Sequence, residues 1–223
     1  MTVSGPNARG VFITFEGGEG TGKSTQVRLL VERLNALGLQ ASATREPGGS
    51  KGAERIRGLL LDPDHPRFGA TAEALLFYAA RADHLETLIR PALARGEWIV
   101  CDRFSDSTRA YQGALGRLPA ATVATLEGLV VGDSGPDLTI LLDLPAEIGL
   151  ARAAARRGAA AGDGFEREPS AFHAALRKAY LDIAAAEPAR FAVIDAQGDV
   201  DAVAAAVFAA VRSRLHERLA VSA

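Results

Sequence analysis

The order of apolar and polar positions divides the chain into short apolar runs and longer segments with helical periodicity. The run at 11–16, rich in β-branched and aromatic residues, predicts a buried strand, and further short strands are predicted at 40–44, 98–101, 138–142 and 191–194. Apolar residues at helical spacing predict helices at 23–37, 54–61, 71–94, 120–131, 145–157, 170–186 and 199–219. Strands that alternate with helices and are nearly continuous in apolar residues are typical of a parallel sheet covered on both faces. The pattern therefore predicts a three-layer α/β fold with a five-stranded parallel sheet between helices.

The chain contains no internal repeat and no linker that would divide it. With 223 residues, 48% of them hydrophobic, it is long enough for one domain with a sizeable core. Residues 1–10 are expected to form a loose leader before a single domain over 11–223. The one break in composition is the Gly- and Ala-rich segment 158–164, flanked by arginines. This break indicates a short flexible lid at about 152–167 rather than a domain boundary.

Charge and cysteine content narrow the class of protein. A net charge of −2 argues against a protein that binds nucleic acid by electrostatics alone. No apolar run approaches the roughly 20 residues needed to span a bilayer, so no membrane segment is predicted. Cys101, the single cysteine, leaves no internal disulfide, and a reducing cytoplasm is the expected location.

Acidic residues stand at the ends of four predicted strands. Glu16 ends the first strand, and Asp102, Asp143 and Asp195 close the third, fourth and fifth. Sheets of this kind bind their ligands at the carboxyl ends of the strands. We therefore expect the functional site along this edge.

The segment GGEGTGKS, from Gly17 to Ser24, matches G-x-x-x-x-G-K-[ST] between a predicted strand and a predicted helix. Inward-pointing backbone N–H groups of such a loop and the helix N-terminus bind phosphate. The segment predicts a P-loop NTPase fold that binds ATP, with Lys23 bridging the β- and γ-phosphates and the Ser24 hydroxyl holding Mg²⁺. The alternative is a glycine-rich turn that only caps a helix. The predicted nucleotide-binding residues are Gly17, Gly18, Glu19, Gly20, Thr21, Gly22, Lys23, Ser24 and Thr25.

Four further segments follow in a fixed order along the chain. They are Arg45 with Glu46–Gly49, Phe77–Arg81, Asp102–Phe104 and Ser107–Gly113. In this order and spacing they resemble the signature of the thymidylate kinases. The resemblance covers about residues 12–195 and implies a kinase that phosphorylates dTMP with ATP and Mg²⁺, has a flexible lid and is usually a homodimer.

The chemistry of the acceptor side agrees with this resemblance. Transfer between two anions requires positive charge and positioning. A phosphate monoester is largely dianionic at neutral pH because its second pKa is about 6, so no general base is required. Arg103 follows the third strand and would clamp the acceptor phosphate, with a structural ion pair to Asp102 as the alternative. The resemblance places Arg45 near the same phosphate, with a purely structural role as its alternative.

The resemblance also implies contacts to the base and sugar. Phe77 would stack on thymine, and Arg81, four residues later on the same helical face, would donate to a thymine carbonyl; core packing is the alternative for Phe77. Tyr111 would lie against the deoxyribose and leave no room for a 2′-hydroxyl. Polar contacts to the base or sugar are expected from three residues, for which a helix cap or a surface position is the alternative: Ser107, Thr108 and Gln112.

Two acidic residues are expected near the phosphates. The resemblance implies that Glu19, a catalytic candidate with Lys23 and Arg103, touches the 3′-hydroxyl of the acceptor or the water shell of the metal. Asp102 is expected to support the Mg²⁺ held by Ser24 from outside the first coordination sphere of the ion.

The segment before the glycine-rich break carries the last candidates. Family members without an arginine inside the P-loop take one from the lid, and this chain has Gly20 there. Arg157 best fits that catalytic position, and Arg152 would lie over the adenine; a solvated basic helix face is the alternative. Gly164 stands where the family often has arginine, so either Arg156 or Arg167 compensates or that arginine is dispensable. On the next helix, we assign three residues to packing: Phe172, Arg177 and Tyr180.

Two other functions stay open at this point. One is a P-loop kinase for uridylate, cytidylate or a non-nucleotide acceptor, which the set Phe77, Arg81 and Tyr111 disfavours. The other is a non-catalytic nucleotide-binding switch, which would bind no separate monophosphate. A GTPase would need Asn-Lys-x-Asp, which the chain lacks.

Overall fold

A sheet of five parallel strands organises the molecule. The computed structural model describes residues 9–62, 68–115, 118–157 and 168–220. The strand order is β2-β3-β1-β4-β5 and all pairings are parallel. The predicted α/β fold is therefore confirmed. The strands are β1 (Phe12–Glu16), β2 (Ala41–Arg45), β3 (Trp98–Asp102), β4 (Leu138–Asp143) and β5 (Phe191–Asp195).

Helices cover both faces of the sheet, most of them close to their predicted positions. They are α1 (Lys23–Ala36), α2 (Lys51–Leu60), α3 (Ala70–His84), α4 (Arg90–Ala94), α5 (Ser105–Thr108), α6 (Ala120–Val130), α7 (Ala146–Arg157), α8 (Ser170–Ala186), α9 (Val200–Arg214) and α10 (His216–Ala220). π-helical turns at Leu85–Ile89 join α3 to α4, others at Arg109–Ala114 extend α5, and a 3₁₀ turn (Gly132–Ser134) follows α6.

The sequence pattern misplaced some of these helices. Helix α2 begins earlier than predicted because the Ser50 hydroxyl accepts a hydrogen bond from the Ala53 amide at 3.3 Å and caps it. The predicted final helix is interrupted at Leu215. The prediction missed α5 and its π-helical extension altogether.

Side chains on strand β1 alternate between two halves of the core. Ile13 and Phe15 pack in the cluster on the side of α1 and α9, whereas Phe12 packs with Leu85 and Ile89 on the opposite face. All five side chains are fully buried, and each contributes about 1.5–3 kcal/mol by its removal from water. Strand β1 is thus held on both faces, which gives the loop that follows it a rigid base.

The register brings the strand ends to one edge of the sheet. Asp102 lies opposite Phe15 of β1 and Arg45 of β2, and Asp143 lies opposite Asp195. Residues 1–8 of the predicted leader and 158–167 of the predicted lid lie outside the described residues. Among the described residues, no helix has the length and apolar character to cross a bilayer.

Candidate active site

The loop between β1 and α1 has the form expected for phosphate binding. It wraps around the N-terminus of α1, and the Lys23 ammonium donates back across it to the carbonyls of Gly17 (3.1 Å) and Gly18 (2.7 Å). Gly20 has a φ of 68°, and a Cβ atom there would meet the Gly149 carbonyl of α7 at 1.9 Å. This contact explains physically why the loop carries no arginine at position 20. An arginine of this site must therefore come from outside the loop.

Burial changes the acidity of the loop lysine. Desolvation, followed by repulsion from Arg103, lowers the pKa of Lys23 to about 8, against the attraction of Glu19 and Asp102. Both effects disfavour the ammonium, and a bound polyphosphate would favour it. The protonation of Lys23 is therefore poised to respond to an anion in this loop.

A hydroxyl and a carboxylate meet beside the loop. Ser24 at the start of α1 donates through Oγ to Oδ2 of Asp102, at the end of β3, over 2.5 Å. The described residues include no group of three or more His, Cys, Asp or Glu side chains that could bind a metal ion. Mg²⁺ commonly uses one or two protein oxygens and completes its shell with water and phosphate. The Ser24 and Asp102 oxygens fit that role.

Arg103 occupies the centre of the site. Its φ of 70° is unusual for a residue other than glycine. Its Nη1 donates to the Gly17 carbonyl (3.2 Å) and the Tyr180 hydroxyl (3.1 Å), and its Nη2 donates to Glu19 Oε1 at 2.6 Å. The alternative of an ion pair with Asp102 is thus not what the structure shows. The guanidinium is therefore held at once by the P-loop backbone, by Glu19 and by Tyr180 of α8.

Glu19 is the acid that balances this charge. Its carboxylate accepts from Arg103 and from the Tyr111 hydroxyl at 3.1 Å. Burial by itself would raise the pKa of Glu19, but Arg103 and Lys23 outweigh it and lower the pKa to about 2. Glu19 is therefore an anion at neutral pH. A carboxylate that lies beside bound phosphates needs a positively charged partner, and for Glu19 this partner is Arg103.

Glu16 fixes the turn that carries Arg103. Its Oε1 accepts from the backbone amides of Phe104 (2.8 Å) and Ser107 (3.1 Å), and its Oε2 accepts from the hydroxyls of Ser107 (2.7 Å) and Tyr180 (3.0 Å). Burial, with a smaller contribution from Asp106, raises the pKa of Glu16 to about 7. The carboxyl group caps α5 from a neighbouring strand. The packing role assigned to Tyr180 was therefore incomplete, because its hydroxyl binds both Glu16 and Arg103.

A cavity of about 340 Å³ opens next to Arg103 at the strand edge. Its size lies within the range of about 300–1,000 Å³ that is usual for small-molecule sites. It brings together every residue predicted for the acceptor: Arg45, Phe77, Arg81, Arg103, Ser107, Thr108, Tyr111 and Gln112. Its lining also includes residues for which the sequence indicated no acceptor contact, among them Arg57 of α2 and Leu61 directly after that helix.

The polar side chains of this cavity have defined partners. The Ser107 hydroxyl is engaged with Glu16 and Arg103, Thr108 Oγ1 accepts from Arg81 at 3.2 Å, and Gln112 donates to buried Glu73 at 2.8 Å. Phe77 is only half-buried and faces the cavity, as a stacking surface would. Arg45 pairs with Glu54 at the exposed rim, at 3.1 Å.

A smaller cavity of about 140 Å³ lies over the P-loop and adjoins the first. The residues that line both cavities are Glu19, Ser24, Asp102, Arg103 and Arg156. The smaller cavity also contacts Gly20, Thr21, Gly22, Lys23 and Thr25. A group transferred from one cavity to the other would therefore pass between Arg103 and Arg156.

Helix α7 places the candidates near the lid in different positions. Arg152 donates to the carbonyls of Ala196 (2.9 Å) and Gln197 (3.1 Å) in the loop after β5, and it lines neither of these two cavities. Backbone position 157 ends α7, and the side chain of Arg157 lies outside the described residues, as does Arg167. Of the arginine side chains of α7 that the structure describes, Arg156, which the sequence suggested only as a substitute, lines both cavities.

Two acids of the predicted edge take no part in this site. Asp143 is paired with Arg177 of α8, at 2.7 and 2.9 Å, so the assignment of Arg177 to plain packing was incomplete. Asp195 accepts from the Gln197 amide in a local turn, at 2.9 Å. Of the four strand-end acids, Glu16 and Asp102 organise the site.

Comparison with known proteins points to a single family. The family model for thymidylate kinase matches residues 15–207. The chain is 58% identical over 218 residues to the thymidylate kinase of Nitrobacter hamburgensis, which covers 96% of this chain and 95% of that protein. It is 56% identical to that of Caulobacter vibrioides over 93% of this chain and 98% of that protein. The crystal structure of thymidylate kinase from Ehrlichia chaffeensis has a TM-score of 0.73 and 31% identity, over 92% of this chain and 99% of that one.

Proposed function

Because this chain belongs to the thymidylate kinase family, we propose that it transfers the γ-phosphoryl group of ATP to dTMP, giving ADP and dTDP. The observation that carries the proposal is the pair of adjoining cavities, one over the P-loop and one lined by the eight acceptor residues. They share Arg103 and Arg156, so the donor and acceptor phosphates would meet between two guanidinium groups. The product dTDP is a precursor of the dTTP used in DNA replication.

The donor phosphates would lie on the amides of the P-loop, with Lys23 between the β- and γ-phosphates. The Ser24 hydroxyl and the Asp102 carboxylate would hold Mg²⁺ between them. When bound, the ion neutralises phosphate charge and orients the γ-phosphoryl group. Arg152 is bound to the loop after β5. Through this loop it would contact the nucleotide.

The acceptor phosphate would be clamped by Arg103, and Arg45 at the rim would add positive charge. Because the phosphate of dTMP is largely dianionic at neutral pH, the attacking oxygen carries no proton that must be removed. Glu19, an anion held by Arg103 and Tyr111, keeps the guanidinium in place and stands within reach of the sugar side of the cavity. Catalysis would thus consist of positioning and charge stabilisation.

The base would lie between Phe77 and the buried Arg81. A guanidinium can only donate hydrogen bonds, so Arg81 favours a carbonyl at position 4 of a pyrimidine over an amino group. The Tyr111 ring, buried beside Arg103 with its hydroxyl on Glu19, would occupy the space that a 2′-hydroxyl needs. Further polar contacts to the base or sugar would come from Ser107, Thr108 and Gln112.

We also propose that the protein acts as a homodimer in the cytoplasm. Exposed leucines lie on three helices, Leu59 of α2, Leu75 of α3 and Leu129 of α6, with 51–80% of each residue accessible. Exposed apolar side chains of this size are common at interfaces between copies of a chain. The cytoplasmic location rests on Cys101, the only cysteine, which is buried and free.

A coupled assay of ADP release tests the proposed function. With ATP and Mg²⁺ we expect strong turnover of dTMP, weaker turnover of dUMP, and almost none of UMP, CMP and GMP. Turnover of UMP or CMP, with no turnover of dTMP, would instead identify another P-loop kinase. ADP release that no acceptor stimulates would indicate a nucleotide-binding protein without this activity.

The low pKa of Lys23 predicts a pH dependence of ATP binding. Its pKa in the free protein is about 8, and bound phosphates raise it, so binding takes up a proton above pH 8. Affinity for a non-hydrolysable ATP analogue should be constant below about pH 7.5 and fall by up to about tenfold per pH unit above pH 8. Calorimetry from pH 7 to 9.5 measures this dependence. Lys23→Arg, whose side chain stays charged, should bind more weakly but lose the inflection; the same inflection in both proteins would contradict the assignment.

A further inference from the structure

Contacts within the protein, and not a bound base, hold the guanidinium of Arg81 in place. Its side chain is only 2% exposed, and its guanidinium lies 4.8 Å from the centre of the Tyr78 ring and 5.2 Å from that of Phe104. Its Nη2 donates to the Phe104 carbonyl at 3.1 Å and to Thr108. Its Nη1 is buried without a hydrogen-bond partner among the described residues, while Arg81 lines the acceptor cavity. An unpaired buried donor is costly, so this nitrogen is set in advance for an acceptor atom of the ligand.

Glu46 holds the other edge of the same guanidinium. Its Oε2 accepts from Arg81 Nε at 2.8 Å, and its side chain is 5% exposed. Its backbone amide donates to the Asp102 carbonyl at 2.9 Å, which ties it to the end of β3. Glu46 is therefore fixed by the sheet, and it fixes Arg81 in turn.

A histidine and a threonine orient Glu46. His84 is fully buried one helical turn after Arg81, with Nδ1 at 3.1 Å from Glu46 Oε1 and Nε2 at 2.7 Å from Thr44 Oγ1. A neutral ring satisfies both contacts if Nδ1–H donates to Glu46 and Nε2 accepts from the threonine hydroxyl. The loop closes tightly over this pair, since a Cβ atom on Gly49 (φ 87°) would lie 2.4 Å from both His84 Nε2 and Thr44 Oγ1.

We infer that Thr44, His84 and Glu46 form a positioning relay that aims Arg81 Nη1 at the carbonyl on position 4 of the acceptor pyrimidine. The inference rests on the proposed function, because it takes dTMP as the acceptor. The relay runs from β2 through α3 to the start of the loop after β2. Its two bonds to Glu46 are buried, and the bond between Thr44 and His84 is partly buried. A purely structural ion pair would stabilise the fold without affecting which base is accepted.

The test compares dTMP with 5-methyl-dCMP, which keeps the methyl group, sugar and phosphate but carries an amino group at position 4. The wild-type enzyme should prefer dTMP by at least about 100-fold in kcat/KM, because the amino group leaves Nη1 unpaired. In Glu46→Ala, kcat/KM for dTMP should fall about 30-fold, mainly through KM. The kcat/KM for 5-methyl-dCMP should change little, so the preference for dTMP is largely lost. His84→Leu should weaken the preference in the same direction.

Two further variants separate positioning from stability. His84→Asn can still donate to Glu46 and should keep the preference within about threefold of wild type. Asp83→Asn lies on the same helix but loses a carboxylate that binds Ser50 and the Ala53 amide of α2. It should lower the Tm and leave the preference unchanged. Equal losses for both substrates in Glu46→Ala and His84→Leu would overturn the relay. Absence of dTMP turnover in the wild type would instead overturn the proposed function.

Discussion

Replacement of Arg103 by lysine is expected to lower kcat/KM for dTMP by about 10²–10³-fold, because a lysine cannot reproduce its fork of donors. The guanidinium donates to the P-loop carbonyl of Gly17, to Glu19 and to Tyr180. These contacts hold the guanidinium at the lining that the two cavities share. A lysine would keep the charge but hold a phosphate at one point instead of two. Steady-state kinetics with dTMP as the varied substrate measures the loss.

A matched substitution at the rim provides the control for this prediction. Arg45→Lys changes the same residue type in the same cavity, where the arginine is half-exposed and paired with Glu54. It should cost less than about tenfold, since exposed ion pairs are worth little. The affinity for an ATP analogue should change less than threefold in either variant. An Arg103→Lys enzyme within fivefold of wild type would show that charge alone, and not the fork, is what the acceptor phosphate needs.

Features that depend on neighbouring residues could be read from the sequence. The three central strands follow from continuous apolar runs, and the P-loop follows from glycines and a lysine at a local spacing between a strand and a helix. Position at the carboxyl end of a strand was sufficient to bring Asp102 and Arg103 to the site. The acceptor residues required the family resemblance, and the structure brings all of them to one cavity.

Contacts between distant parts of the chain could not be read in this way. Tyr180 reaches Glu16 across 164 positions of sequence, and a tyrosine at helical spacing in an apolar face looks like any core residue. The end of β1 gave no sign that Glu16 caps α5, since the capping partner lies on a different element. The π-helical turns after α5 change the spacing of Tyr111 and Gln112, and no 3.6-residue pattern predicts them.

Two neighbouring arginines at the end of α7 are candidates for neutralising the transferred phosphoryl group. Position beside the glycine-rich segment favoured Arg157, which stays a prediction because its side chain lies outside the described residues. Arg156 lines both the P-loop cavity and the acceptor cavity. Successive positions on a helix lie about 100° apart around its axis. The two residues therefore occupy different faces of α7, and their substitutions are distinguishable.

We expect Arg156→Gln to lower kcat by about 10³-fold, in the range found for arginines that stabilise a transferring phosphoryl group. Arg157→Gln, its neighbour in the same helix and the matched control, should cost less than about tenfold. Binding of dTMP, measured by calorimetry without ATP, should change less than threefold in both, because the charge acts on the transition state rather than on the bound acceptor. A larger loss of kcat in Arg157→Gln would assign the role to Arg157. The position of Arg156 between the cavities would then serve phosphate binding alone, and its variant would raise KM while leaving kcat intact.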